Sequence, residues 1–78
     1  MSDQPVRIDA RGLRCPLPVL KAEKALAEAT GCIVLEILAD DPVARIDIPL
    51  LAQRRGLGCA VAEVTGGFRF VLTDKPPE

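Results

Sequence analysis

Hydrophobic and polar positions alternate where the chain begins to show a pattern: Val6, Ile8 and Ala10 are separated by Arg7 and Asp9. A period of two predicts a short strand over 6–10 with one buried face. The period then changes. Beyond Cys15-Pro16-Leu17-Pro18, the residues Val19, Ala22, Leu26 and Ala29 recur at steps of three and four, which predicts an amphipathic helix. Lys21, Lys24 and Glu28 fall on its opposite face, and Gly31 stands where a left-handed cap would end it near Thr30. A helix has no intrahelical partners for its first four N–H groups, so both prolines are compatible with its first turn, with Pro16 at the first helical position. The segment from Cys32 to Ala39 is apolar except for Glu36 and carries β-branched Ile33, Val34 and Ile37. It predicts a mostly buried, central strand.

Asp40-Asp41-Pro42 has the form of a helix start, an acidic cap followed by proline. Val43, Ile46 and Leu50 supply an apolar stripe for that second helix. Pro49 lies too deep for its first turn and predicts a kink, or a restart with Asp47 as a new cap, before an end near Gly56. Two short runs, Cys59 to Val64 and Phe68 to Thr73, flank Thr65-Gly66-Gly67 and predict an antiparallel hairpin. The order β-α-β-α-β-β implies helices crossing between strands and packed on one face of a small mixed sheet. The 78 residues are expected to form a single domain with a radius of gyration of about 11 to 12 Å. A polar, proline-rich tail over 74–78 is expected to fray.

Composition narrows the chemistry. Two Phe, no Trp and no Tyr leave an aliphatic core and no aromatic platform for stacking bases. Ten basic and eleven acidic residues, for a net charge of -1, give no basic face for a phosphate backbone, so no direct nucleic-acid binding is expected. No apolar run approaches the roughly 18 residues of a membrane span. Met1 to Pro5 lack a signal pattern, so the chain is expected to stay in the cytoplasm. Three cysteines, Cys15, Cys32 and Cys59, form no C-x-x-C pair, and with no histidine neither a zinc site nor an imidazole-assisted nucleophile is expected.

Cys15 is the candidate for chemistry. It lies in the connection from the first strand to the first helix, within Arg11-Gly12-Leu13-Arg14-Cys15-Pro16-Leu17-Pro18. A thiol at a helix N-terminus faces free N–H donors and the positive end of the macrodipole, and both favour thiolate. Arg14 is adjacent and Arg11 is in the same loop. A free thiol with a pKa of about 8.5 is only about 3% thiolate at pH 7; lowering it to about 7 gives roughly half, for about 2 kcal/mol. Pro16 and Pro18 are expected to stiffen the loop so that it presents the sulfur. Cys32 and Cys59, each opening a hydrophobic strand, read as apolar filler. Asp40-Asp41 reads as a cap rather than an acid–base pair, and Gly66-Gly67 as turn geometry.

The run from Asp9 to Val19, with its Cys-Pro-x-Pro, resembles the signature of the TusA family, also called SirA-like sulfur carriers. Asp40-Asp41-Pro42 followed by Asp47-Ile48-Pro49 resembles that family's second block. The resemblance spans nearly the whole chain. It implies an α/β two-layer sandwich with two helices on a four-stranded mixed sheet, and a cysteine, here Cys15, that carries sulfur as a persulfide. It further implies a cysteine desulfurase or other sulfur-donor protein on one side and an acceptor sulfurtransferase on the other. The pathways served within the family include tRNA thiolation, molybdenum-cofactor assembly and sulfur oxidation, and the motif does not separate them.

Exchange between a thiolate and a persulfide needs a nucleophile, an exposed sulfur and a partner surface, so no cofactor and no metal are expected. Arg11 and Arg14 would stabilise the anionic sulfur, and Lys21 or Lys24 would dock acidic partners. Two other readings stand beside the carrier. In one, the helix start is only a docking epitope of a protein-interaction module. In the other, Cys15 is a redox sensor with Cys32 or Cys59 as its resolving thiol.

Overall fold

A computed structural model describes residues 6–29 and 33–74. Its elements, in chain order, are β1 (Val6–Asp9), α1 (Leu17–Glu28), β2 (Val34–Ala39), α2 (Ala44–Arg54), β3 (Gly58–Val64) and β4 (Gly67–Thr73). The strands form one sheet in the order β1-β2-β4-β3. β1 runs parallel to β2, as a crossover through α1 requires, and the two remaining pairings are antiparallel. This is the expected two-layer arrangement of two helices on a mixed sheet, and the radius of gyration is 11.6 Å.

Strand periodicity decides which face the helices cover. Leu35, Ile37 and Ala39 of β2 are buried together with Phe70 and Leu72 of β4, whose partners in register are Ile37 and Leu35. Against them pack Ala22 and Leu26 of α1 and Ala44, Ile48, Leu51 and Ala52 of α2. Each large aliphatic or aromatic side chain removed from water there contributes about 1.5–3 kcal/mol. The other face is open: Glu36 of β2 pairs across neighbouring strands with Arg7 at 2.7 Å and Arg69 at 3.6 Å. Thus β2 is central as expected, but buried on one face and half-buried on the other. As an edge strand, β1 leaves Val6 exposed and only Ile8 packed on the core.

The second helix departs most from its expected form. Val43, Ile46 and Leu50 are exposed, Ile46 to 69%. The face turned to the sheet is Ala44, Ile48, Leu51 and Ala52, a set with the same helical spacing in a different phase. Pro49 does not restart the helix with Asp47 as a new cap: one helix runs from Ala44 to Arg54 with the proline inside it. An interior proline costs about 3 kcal/mol, and burial of Ile48 and Leu51 on either side is of the size needed to offset it. The helix ends near Gly56 as expected: the Gly56 N–H donates to the Gln53 carbonyl and the Leu57 N–H to that of Ala52, the paired bonds of a Schellman turn.

Smaller differences lie at the boundaries. α1 starts at Leu17, with Pro16 as the flanking residue and Pro18 at the second helical position, one residue later than the sequence pattern placed it. The Leu17 N–H closes a turn onto the Arg14 carbonyl, and the first α-type bond runs from the Leu20 N–H to the Pro16 carbonyl. α1 ends at Glu28 with Ala29 extended; the cap assigned to Gly31, and Cys32, lie outside the described residues. The hairpin loop is Thr65-Gly66, with Val64 opposite Gly67, and only Gly66 takes a positive φ, +81°, where a Cβ would be strained. Asp74, placed in the frayed tail by the sequence, donates its N–H to the Ile33 carbonyl.

Candidate functional site

The loop from β1 to α1 folds over the turn from β2 to α2, and carboxylates hold the two together. Ala10 extends the β1–β2 ladder by donating its N–H to the Leu38 carbonyl at 2.7 Å. Gly12 then turns with φ +85°, a region that L side chains enter only with strain. Its N–H points at the Asp40 carboxylate, 3.0 and 3.1 Å from the two oxygens. Three residues on, the Cys15 N–H donates to Asp41 Oδ2 at 2.7 Å, and the other oxygen, Oδ1, accepts from the Val43 N–H at 3.2 Å. Asp41 is buried, 5% exposed, and so fixes both helix starts at once. Donation first from Cys15 and then from Val43 holds its carboxyl below the usual carboxylate range.

Cys15 is exposed, as a reacting sulfur must be. Its Sγ–H donates to Asp47 Oδ2, 3.1 Å away in the first turns of α2. Cys15, Asp41 and Asp47 line a shallow crevice between the helices with Pro18, Val19 and Ala44. The protonation balance is the reverse of the sequence expectation. The thiol is pushed above its ordinary value, first by the hydrogen bond to Asp47, then by desolvation and by the negative charges of Asp47 and Asp41. A free helix end and an arginine favour thiolate; a carboxylate in contact with the sulfur outweighs them.

The arginines account for the rest of the reversal. Arg11 clamps Asp9 through Nε at 2.8 Å and Nη2 at 2.7 Å, which lowers the Asp9 carboxyl to about 2 and commits the guanidinium away from the sulfur. Arg14 acts electrostatically on Asp41. Of the two prolines, Pro18 is buried and anchors the loop to the core while Pro16 stays exposed. Lys21 and Lys24 border a separate groove with Ile8, Ala25 and Glu28, not the crevice at Cys15. Cys59 is half-buried on β3 and packs against the core, where desolvation pushes its thiol up.

Asp41 and Asp47 are the residues that sequence reasoning did not bring to the sulfur. The sequence pattern assigns Asp41 to a helix cap, and Asp47 to a cap only where Pro49 restarts the helix. The signal available was indirect: two acidic residues in the connection to α2 and a third a turn into it. Among the described residues no group of three or more His, Cys, Asp or Glu side chains is placed to hold a metal ion, and no helix is long and apolar enough to cross a membrane.

Fold and site together define a small two-layer α/β protein that displays one thiol at the start of its first helix, beside carboxylates from its second. The family model described as sulfurtransferase TusA matches residues 6–74, and the chain belongs to the TusA family. A relative in Archaeoglobus fulgidus is 48% identical over 68 residues, covering 85% of this chain and 88% of its own. The sulfur carrier protein TusA of Allochromatium vinosum is 36% identical over 73 residues, covering 92% and 96%. Among solved structures, the SirA-like protein from Desulfitobacterium hafniense superposes with a TM-score of 0.78 at 32% identity, over 92% of this chain and 99% of that one.

Proposed function

We propose that this protein is a sulfur carrier that holds sulfur as a persulfide on Cys15 and passes it between protein partners. The observation that carries the reading is the exposed Cys15 thiol at the start of α1, in a chain whose relatives include a protein named as a sulfur carrier. In loading, the Cys15 sulfur attacks the outer sulfur of a donor persulfide, a bond forms between them, and the donor's S–S bond breaks with its electron pair on the donor cysteine. In unloading, an acceptor's cysteine attacks the outer sulfur held on Cys15, and Cys15 is the leaving group. One sulfur atom moves, and no external oxidant or reductant is consumed.

A protein partner fits the surroundings better than a small substrate. The crevice at Cys15 is shallow, and the two helices that build it leave Leu17, Leu20, Val43, Ile46 and Leu50 exposed, more apolar surface than isolated side chains in solvent. The raised protonation of Cys15 shapes the mechanism. The thiol is not mostly ionised at rest, so the proton must leave at the time of attack. Incubation with a cysteine desulfurase and cysteine, followed by intact-mass measurement and peptide mapping, is expected to show one added sulfur on Cys15 and none in Cys15→Ser. Loading of the serine variant, or sulfur mapped to another thiol, would overturn the assignment.

A further inference from the structure

Cys15 needs a group that removes its proton, and the chain has no histidine. Among the described residues, the side-chain acceptor of that thiol is Asp47, 3.1 Å from Sγ and 32 residues away in sequence. Its place is set by the fold. Asp47 sits on α2 immediately before Ile48, which is fully buried against the sheet; Ile48 therefore anchors the turn from which the carboxylate reaches the sulfur. The charged groups around the sulfur come from three segments. Asp47 belongs to α2, Asp41 to the turn before it, and Arg14 to the loop before α1, where its positive charge helps to lower the Asp41 carboxyl. Arg11 is held by Asp9, and Asp40 by the Gly12 N–H. Asp41 already accepts two backbone N–H groups, which leaves Asp47 as the carboxylate in contact with the thiol.

We infer that Asp47 is the proton relay of the transfer: it takes the Cys15 thiol proton as sulfur is loaded and returns a proton to Cys15 Sγ as sulfur is unloaded. The inference rests on the carrier reading of Cys15 and deepens it. In loading, the proton passes from Cys15 Sγ to Asp47 as the new S–S bond forms, and then to the donor's leaving sulfur. In unloading, the acceptor's thiol proton passes to Asp47 and on to Cys15 Sγ as that bond breaks. Charge is conserved at each stage, because thiol plus carboxylate and thiolate plus carboxylic acid both carry one negative charge. The arrangement has a chemical advantage. A thiol of high pKa is a stronger nucleophile once deprotonated, and a carboxylate that keeps it protonated between encounters protects it from oxidation.

The same carboxylate therefore has opposite effects on two reactions, which a merely structural residue would not. Alkylation by iodoacetamide reads the resting thiolate fraction; loading from glutathione persulfide reads transfer, and a small donor removes any contribution of Asp47 to protein docking. Asp47→Asn is expected to move the alkylation profile of Cys15 to lower pH and to raise its rate near pH 7 severalfold. The same variant is expected to slow loading about a hundredfold, at the lower end of general acid–base effects, and Asp47→Glu to restore part of the loss. Asp47→Ser carries the same expectation should the asparagine variant not fold. Loading as fast in Asp47→Asn as in the parent overturns the relay and leaves Asp47 as a lock on the thiol. Absence of loading in the parent itself would instead overturn the carrier reading.

Discussion

The helix-start corner that holds Cys15 and the edge strand that holds Cys59 both keep a thiol protonated, but by different physics. Around Cys15 the cause is foremost a hydrogen-bonded carboxylate; around Cys59 it is burial. The first cause sits on another element and is relieved by moving one proton across the 3.1 Å hydrogen bond between Sγ and Oδ2. The second comes from the partial burial of the thiol on β3, and no proton transfer to a neighbouring side chain relieves it. A site built for exchange needs the first kind, and the contrast explains how one chain carries two thiols that are both raised above the ordinary value yet differ in access to reagents.

Alkylation of the folded protein gives that contrast its largest test. Near pH 8, Cys15 is expected to label at least about tenfold faster than Cys59, since one is exposed and the other half-buried against the core. In denaturant the two rates are expected to converge to within a factor of about two, because the unfolded chain offers both thiols alike. Peptide mapping after a short pulse reads both numbers. Faster labelling of Cys59 in the folded state would show that β3 opens more readily than the corner and would break the comparison.

Next in size is Asp41, which joins the two helix starts. Asp41→Ala leaves the Cys15 and Val43 N–H groups without their acceptor, and the melting temperature is expected to fall by about 5 °C for a protein of this length. The sign of the pH dependence follows from the lowered carboxyl. A carboxylate that ionises more easily folded than unfolded contributes stability above its unfolded pKa of about 3.9, and the contribution is lost as pH falls through the folded value. The parent is expected to lose stability below about pH 4, and Asp41→Ala to lose less over the same range. Asp9, at about 2, adds in the same direction in both proteins; its pair with Arg11 is exposed, so salt weakens that share. An equal acid response in parent and variant would show that Asp41 does not hold the corner.

How far these features could be read beforehand depends on whether their signal is local. The period of three and four in α1 and the alternation along β1 are local, and both elements appear within two residues of their expected bounds. The phase of α2 is not local. Val43, Ile46 and Leu50 and the set Ala44, Ile48, Leu51 and Ala52 both fit a helix stripe, and bulk favours the first. The choice falls to the second because the two alanines let the helix approach a sheet already filled by Phe70, Leu35 and Ile37. The partner of Cys15 is hidden for the same reason: Asp47 is far along the chain and meets the sulfur only once α2 has its phase. Sequence proximity pointed to Arg11 and Arg14, and proximity along the chain was the misleading cue.

The smallest effect belongs to Arg11, and it is informative for being small. The Nε and Nη2 edge of its guanidinium is taken up by Asp9, two residues away, so its charge is largely cancelled before it reaches the sulfur. Arg11→Ala is expected to shift the alkylation midpoint of Cys15 by no more than about 0.3 pH unit, in keeping with the weak influence of exposed, paired charges. The same substitution should let the Asp9 carboxyl rise from about 2 toward the unperturbed value of about 3.9, which NMR titration of its side chain would record. The two readouts separate neighbour from partner: a residue can sit four positions from a reactive thiol, carry the favourable sign, and leave the thiol almost untouched. A rise of a full pH unit in the Cys15 midpoint would show that the guanidinium leaves Asp9 for the sulfur in solution, and the cationic account of the loop would replace the carboxylate one.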